Sequence, residues 1–307
     1  MKIAFCFPGQ GSHAVGMGKA FAASFPEARA VYDEASDALG FDVARLSFEG
    51  PLEELTRTEF QQPALVATSL ACLRAVEPLG LEPSVVVGHS VGEYSALAAC
   101  GAATDREAVA LVGARGAATA ETARERPGAM AAVIGLDEPV VEELCGEIEG
   151  VWPANYNCPG QLVVSGETEA VDRLLRAAGE RGARRTVKLG VTGAFHSPLV
   201  AGAVELLRPA VESIAWREPS PPFLSTVTAR LEPAERIGAI LLDQLTAPVR
   251  FTQAVRALVA EGVEACVEIG PGSVLSGLIR RCDRSLRTVS VGDPDGLRKL
   301  PEVLSAA

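Results

Sequence analysis

Ser90 stands in the pentapeptide Gly88-His89-Ser90-Val91-Gly92, directly behind the β-branched run Val85, Val86 and Val87. That spacing fits a nucleophile elbow, in which a strand delivers a serine onto a strained turn and a helix leaves behind it. Gly88 and Gly92 would free the space where strand and helix come close. The helix would aim its N–H groups and its positive end at an oxyanion forming beside Ser90. The plainer reading is a tight turn whose serine only caps a helix. A serine alcohol needs a base, and the chain offers three histidines, His13, His89 and His196. His89 adjoins the serine and is badly placed to reach its hydroxyl, so it reads as structural. His13 lies in the glycine-rich PGQGSHAVGMG and reads as pocket lining. His196, in GAFHSPLV, is favoured as the base, because that segment falls at a junction between two chain patterns. Arg115 taken by itself is a helix arginine, solvated or paired with a glutamate.

The elements that would position these groups alternate. Residues 2–7 and 84–87 read as buried strands. Residues 20–39, 63–76, 92–99 and 106–119 read as helices. That order predicts a parallel α/β sheet. From 129 to 191 the rhythm becomes strand, helix, strand, strand, helix, strand, the ferredoxin-like βαββαβ unit. It predicts a small subdomain over 127–193, inserted in a large α/β subdomain made of 1–126 and 194–307. Beyond it, helices are expected at 199–214, 235–245, 252–261, 274–281 and 296–304. Strands are expected at FLSTV, CVEIG and LRTVSVG.

With 307 residues, 48% of them hydrophobic and 22% charged, the chain can bury a sizeable core. A formal net charge of −11 argues against nucleic acid as a partner. The seven cysteines are scattered and include no CxxC pair; with three histidines they predict free thiols and no metal site. The five-residue apolar run near the start is too short for a signal peptide. No uncharged run approaches the roughly 18 residues of a membrane span. A cytoplasmic protein without membrane association is expected.

Nine segments occur in a telling order: FPGQGS, QQPAL at 61–65, GHSVGEY at 88–94, Arg115, GAMAAVIGL at 128–136, NYNCPGQLVVSG at 155–166, GAFHSPL at 193–199, QLTAPVRF at 244–251 and VEIGPGSVLSGL at 267–278. Together they closely resemble the acyltransferase family that includes the malonyl-CoA:acyl carrier protein transacylases and the acyltransferase domains of fatty acid and polyketide synthases. The resemblance implies a hydrolase-like core with a ferredoxin-like subdomain and no cofactor. It implies Ser90 as nucleophile and His196 as base, with Gln244 holding the imidazole through a carbonyl oxygen in place of an acid. The backbone N–H groups of Gln10 and Val91 would form the oxyanion hole, and Gln62 would line the pocket. Arg115 would clamp the free carboxylate of a malonyl group, a task suited to a planar fork of donors. Phe195 before the histidine and Val91 after the serine accompany malonyl rather than methylmalonyl use. The chain departs from the family at His13, where Gln is common, at Thr226, where Asn is common, and at Ser273, where Lys is common.

The implied reaction is ping-pong transfer of malonyl from a CoA thioester to the phosphopantetheine thiol of an acyl carrier protein, serving fatty acid or polyketide synthesis. The alternatives are a discrete polyketide acyltransferase using another malonyl derivative, an editing hydrolase with water as acceptor, and a non-catalytic docking module. Carrier proteins of this kind are acidic, so an acidic chain needs a local basic patch. Arg280 and Arg281 are the first choice, Arg184 and Arg185 the second. A monomer is expected.

Overall fold

A computed structural model describes residues 1–191 and 193–305. Ten strands form two sheets. They are β1 (Ile3–Phe7), β2 (Val85–Gly88), β3 (Ala129–Ile134), β4 (Val151–Cys158), β5 (Gln161–Gly166), β6 (Arg185–Lys188), β7 (Phe223–Ser225), β8 (Arg230–Glu232), β9 (Ala265–Ile269) and β10 (Arg287–Val291).

The first sheet has the order β10-β9-β1-β2-β7-β8. Its first five members run parallel, and β8 adds an antiparallel edge. Continuous apolar runs such as Val85–Val87 suit this sheet because both faces are covered. On β1, Ile3, Phe5 and Phe7 enter one core while Ala4 and Cys6 enter the other. The carboxyl ends of β1, β2 and β9 all run into glycine-bearing segments, Pro8-Gly9-Gln10, His89-Ser90-Val91-Gly92 and Gly270-Pro271-Gly272. Ligand sites of open α/β sheets form at this edge.

The second sheet is antiparallel, in the order β4-β5-β3-β6. Period two divides β3 cleanly. Ala131 and Val133 pack against the helices Glu138–Glu147 and Thr168–Glu180, whereas Met130 and Ala132 join Val163 and Phe195 on the opposite face. That face looks onto the first sheet. Tyr156 N–H donates to Val249 O at 2.8 Å, and Val249 N–H donates to Ala154 O at 2.8 Å. These bonds fasten β4 to the segment that follows Gln244.

The expected α/β class is therefore observed, with differences in detail. The helix expected at 20–39 is two, Lys19–Ser24 and Pro26–Leu39, because Pro26 lacks the N–H that would continue the first. The helix expected from Pro63 begins at Thr58, so Pro63 sits in its second turn. The helix expected at 106–119 runs Asp105–Glu125, opened by a capping box between Thr104 and Glu107. The segment 199–214 divides into a 3₁₀ turn Pro198–Val200 and the helix Gly202–Glu212. Two short helices, Val43–Glu49 and Leu52–Thr56, and the edge strand β8 had no sequence counterpart. Thr192, Ala306 and Ala307, within the ranges assigned above to the two subdomains, lie outside the described residues.

Candidate active site

Ser90 follows β2 on a sharp turn, with φ at +51°. A non-glycine residue there carries strain of order 1–3 kcal/mol, sustained only by its surroundings. Two glycines make the turn possible. A Cβ on Gly92 would lie 2.1 Å from the Phe7 carbonyl oxygen, and one on Gly88 would lie 2.1 Å from Glu93 N. The helix Gly92–Ala99 starts directly behind Val91.

His196 reaches the same point from the chain that leaves β6. It too has positive φ, +58°, and its N–H donates to Leu245 O at 3.1 Å. Its Nε2 stands 2.8 Å from Ser90 Oγ. Its Nδ1 faces two carbonyl oxygens, Gln244 O at 2.9 Å and Ala247 O at 3.1 Å. Two acceptors there require Nδ1 to carry the proton, so Nε2 accepts from the serine hydroxyl. The carbonyl that Gln244 offers the imidazole is thus its main-chain one. Burial, the Arg115 guanidinium nearby and His89 push the His196 pKa down to about 3. The imidazole is neutral at physiological pH, as a proton acceptor must be.

Arg115 is buried, 4% exposed, on the inner face of Asp105–Glu125. The solvated surface arginine of the plainer reading is not what the fold contains. Nη1 donates to Gln62 Oε1 at 2.7 Å. Nη2 donates to Ser90 Oγ at 3.1 Å and Gln244 Oε1 at 3.2 Å. Nε has no partner among the described residues. Every acceptor is neutral, so a cation and an unused donor sit beside the serine.

A cavity of about 480 Å³ opens between the two sheets over Ser90. Gln10, Ser90 and His196 border one side; Met130, Val163 and Phe195 border the other. Gln62 does not line it. Adjacent residues on a helix point about 100° apart, so Gln61 faces the cavity while Gln62 turns inward, holds Arg115 and donates to Thr119 Oγ1 at 3.2 Å. His89 points away from the serine: Nε2 meets Asn157 Oδ1 at 2.9 Å and its ring lies 5.3 Å from that of Phe251. His13 borders the cavity and pairs with Gln61 Nε2 at 2.8 Å.

Sequence reasoning passed over Glu93. It is fully buried, and its Oε2 accepts from Gln244 Nε2 at 2.5 Å. Burial pushes its pKa up to about 7, against hydrogen bonds from Thr226, Ser225 and Gln244. An acid in the first turn of a helix usually favours the dipole from the surface, so only the depth of this helix marks it as different.

Arg280, Arg281, Arg184 and Arg185 are exposed. Arg281 Nη1 donates to Gln161 Oε1 at 2.7 Å, and Gln161 borders the cavity. Among the described residues no cluster of three His, Cys, Asp or Glu could hold a metal. All seven cysteines are free thiols. No described helix is long and apolar enough to cross a membrane.

Residues 4–294 match the model of the acyl transferase domain. The chain belongs to this family. The malonyl CoA-acyl carrier protein transacylase of Bacillus subtilis is 43% identical over 300 residues, spanning 96% of this chain and 94% of that one. Its counterpart from Escherichia coli strain K12 is 40% identical over 301 residues, spanning 96% and 97%. The crystal structure of malonyl-CoA:acyl carrier protein transacylase from Xanthomonas oryzae pv. oryzae superposes with a TM-score of 0.95, at 40% identity, covering 98% of this chain and 99% of that one. A malonyl-transacylase solved in complex with a type II polyketide-synthase acyl carrier protein gives 0.95 at 39% identity, with the same coverage. The nine-segment resemblance is borne out along nearly the whole chain.

Proposed function

We propose that this acyltransferase moves a malonyl group from malonyl-CoA to the phosphopantetheine thiol of an acyl carrier protein, through an ester on Ser90. The observation that carries this reading is the buried Arg115 guanidinium, 3.1 Å from Ser90 Oγ with neutral acceptors only. A cation in that setting favours an acyl group ending in a carboxylate.

The steps use this chain's own groups. Ser90 Oγ attacks the thioester carbonyl as His196 Nε2 takes its proton. The N–H groups of Gln10 and Val91 hold the oxyanion. The tetrahedral adduct collapses, the C–S bond breaks, and the CoA sulfur leaves with the proton from His196. The carrier thiol then enters, gives its proton to Nε2 and attacks the Ser90 ester. Collapse returns malonyl to a thioester and the proton to Ser90. Gln244 O and Ala247 O hold the tautomer throughout. No cofactor enters the scheme. Phe195 fills space over the acyl position, consistent with malonyl over branched extenders.

Residues 127–193 are assigned as the inserted subdomain that roofs the cavity, and 1–126 with 194–307 as its base. Arg280 and Arg281 are assigned to the acidic carrier; the Arg281 contact with Gln161 at the cavity supports that choice. Seven free thiols suit a cytoplasmic location, and a monomer is assigned.

Ser90→Ala should lower transfer to carrier protein by about 10³-fold or more, measured with labelled malonyl-CoA. Full transfer by that variant would overturn the scheme. With the unaltered chain and no carrier, label should stay on the protein; rapid loss to water would favour the hydrolase.

A further inference from the structure

Arg115 is a buried cation whose hydrogen-bond partners are all neutral, and such a charge needs compensation close by. The nearest acid in this network is Glu93, one amide away. Glu93 Oε1 accepts from Thr226 N at 2.5 Å, Thr226 Oγ1 at 2.8 Å and Ser225 Oγ at 3.2 Å. Its Oε2 accepts from Gln244 Nε2 at 2.5 Å. Gln244 Nε2 also donates to Ser90 O at 3.2 Å, and Gln244 Oε1 accepts from Arg115 Nη2 at 3.2 Å. Two acceptors at one end of the amide and a guanidinium at the other leave Gln244 a single orientation.

We propose that Glu93 is a positioning residue for acyl selection, which through the Gln244 side-chain amide fixes the Arg115 guanidinium beside Ser90. The proposal rests on the malonyl-transfer reading. It separates two functions of Gln244: the main chain serves the His196 imidazole, while the side chain serves Arg115. Four donors converge on Glu93 and favour its carboxylate form against burial. In Glu93→Gln, three donors keep the new amide oxygen at the Oε1 position, and its NH₂ then meets Gln244 Nε2. Turning Gln244 over moves the clash to Arg115 and sets an oxygen against Ser90 O. Either arrangement breaks the chain that holds the guanidinium.

The test compares malonyl-CoA with acetyl-CoA as acyl donors, alongside labelling of Ser90 by a neutral fluorophosphonate. For Glu93→Gln the malonyl-to-acetyl ratio of kcat/KM should fall about tenfold or more, chiefly as a raised KM for malonyl-CoA. Fluorophosphonate labelling should fall far less. An unchanged ratio, or a proportional loss with all three reagents, would overturn the assignment, the latter because a purely structural role predicts it. Should Glu93→Gln not fold, Thr226→Val decides: it removes one donor from Oε1, favours the neutral acid, and should shift the ratio the same way by less. An unchanged ratio there would overturn the assignment equally. An unaltered chain with no malonyl preference would instead overturn the malonyl reading, which keeps the two failures apart.

Discussion

At the scale of single residues, Ser90 and His196 meet across 2.8 Å with both backbones in the left-handed region. The fold keeps the imidazole neutral by burying it beside a guanidinium, with consequences for stability. The His196 pKa falls from an ordinary 6.5 to about 3 on folding. Between those values the unfolded chain takes up a proton that the folded chain refuses, so stability drops as pH falls through that window. Relative to His196→Ala, which has no such group, the unaltered chain should lose melting temperature on going from pH 7.5 to pH 5. A difference between the two that stays constant with pH would contradict a buried neutral imidazole. Arg115→Ala should cost about 10²-fold in kcat/KM for malonyl-CoA, the loss of two charged hydrogen bonds. It should leave acetyl-CoA turnover much less affected, as a two-substrate assay would report. The meeting of Ser90 and His196 was legible in the sequence because an apolar strand and a helix flank the pentapeptide and only three histidines compete. Arg115 depended on the resemblance, since nothing local distinguishes it from a surface arginine. Glu93 and the inward turn of Gln62 were hidden because both depend on which side of a helix is covered.

At the scale of elements, the elbow depends on close approach between β2, β1 and the helix behind Ser90. Gly92→Ala would press a Cβ to within 2.1 Å of the Phe7 carbonyl. It should destabilise the chain by about 2–3 kcal/mol, read from denaturant unfolding, and remove Ser90 reactivity. A stable, active variant would contradict the tight crossing. The helix Val274–Cys282 has a different anchor. The buried Glu268 carboxylate accepts from Leu275 N at 2.9 Å and Ser276 N at 2.8 Å, in the first turn of that helix. The same helix carries Val274, Leu275 and Leu278 to the cavity wall and Arg280 and Arg281 to the surface. Glu268→Gln sets an NH₂ against a backbone donor and should cost about 1–3 kcal/mol, with malonyl transfer weakened in parallel. No loss of melting temperature would contradict the anchor. The βαββαβ rhythm was legible because short strand-like segments such as Ala129–Ile134 and Gln161–Gly166 are bounded by turn residues and separated by amphipathic helices. The helices at 43–56 were not, being too short for a period to show, and β8 exists only by pairing with β7.

At the scale of the whole molecule, a chain of net charge −11 is asked to receive an acidic partner. Under the proposed docking, Arg280 and Arg281 would resolve the conflict locally, Arg281 through its contact with Gln161 at the cavity. Reversing Arg280 and Arg281 to Glu should raise the apparent KM for carrier protein several-fold at low salt, with malonyl-CoA KM unchanged. Equal KM values would contradict docking there. Ser90 borders a cavity between the two sheets, so the proposed acyl ester would form there rather than on an open surface. The proposed transfer requires that Ser90 becomes acylated and that Arg115 selects a carboxylate-bearing acyl group. Its most direct test is peptide-resolved mass spectrometry after brief exposure to equal amounts of malonyl-CoA, methylmalonyl-CoA and acetyl-CoA. A malonyl adduct should predominate on the peptide that carries Ser90. Equal labelling by acetyl, or an adduct on any other residue, would contradict it.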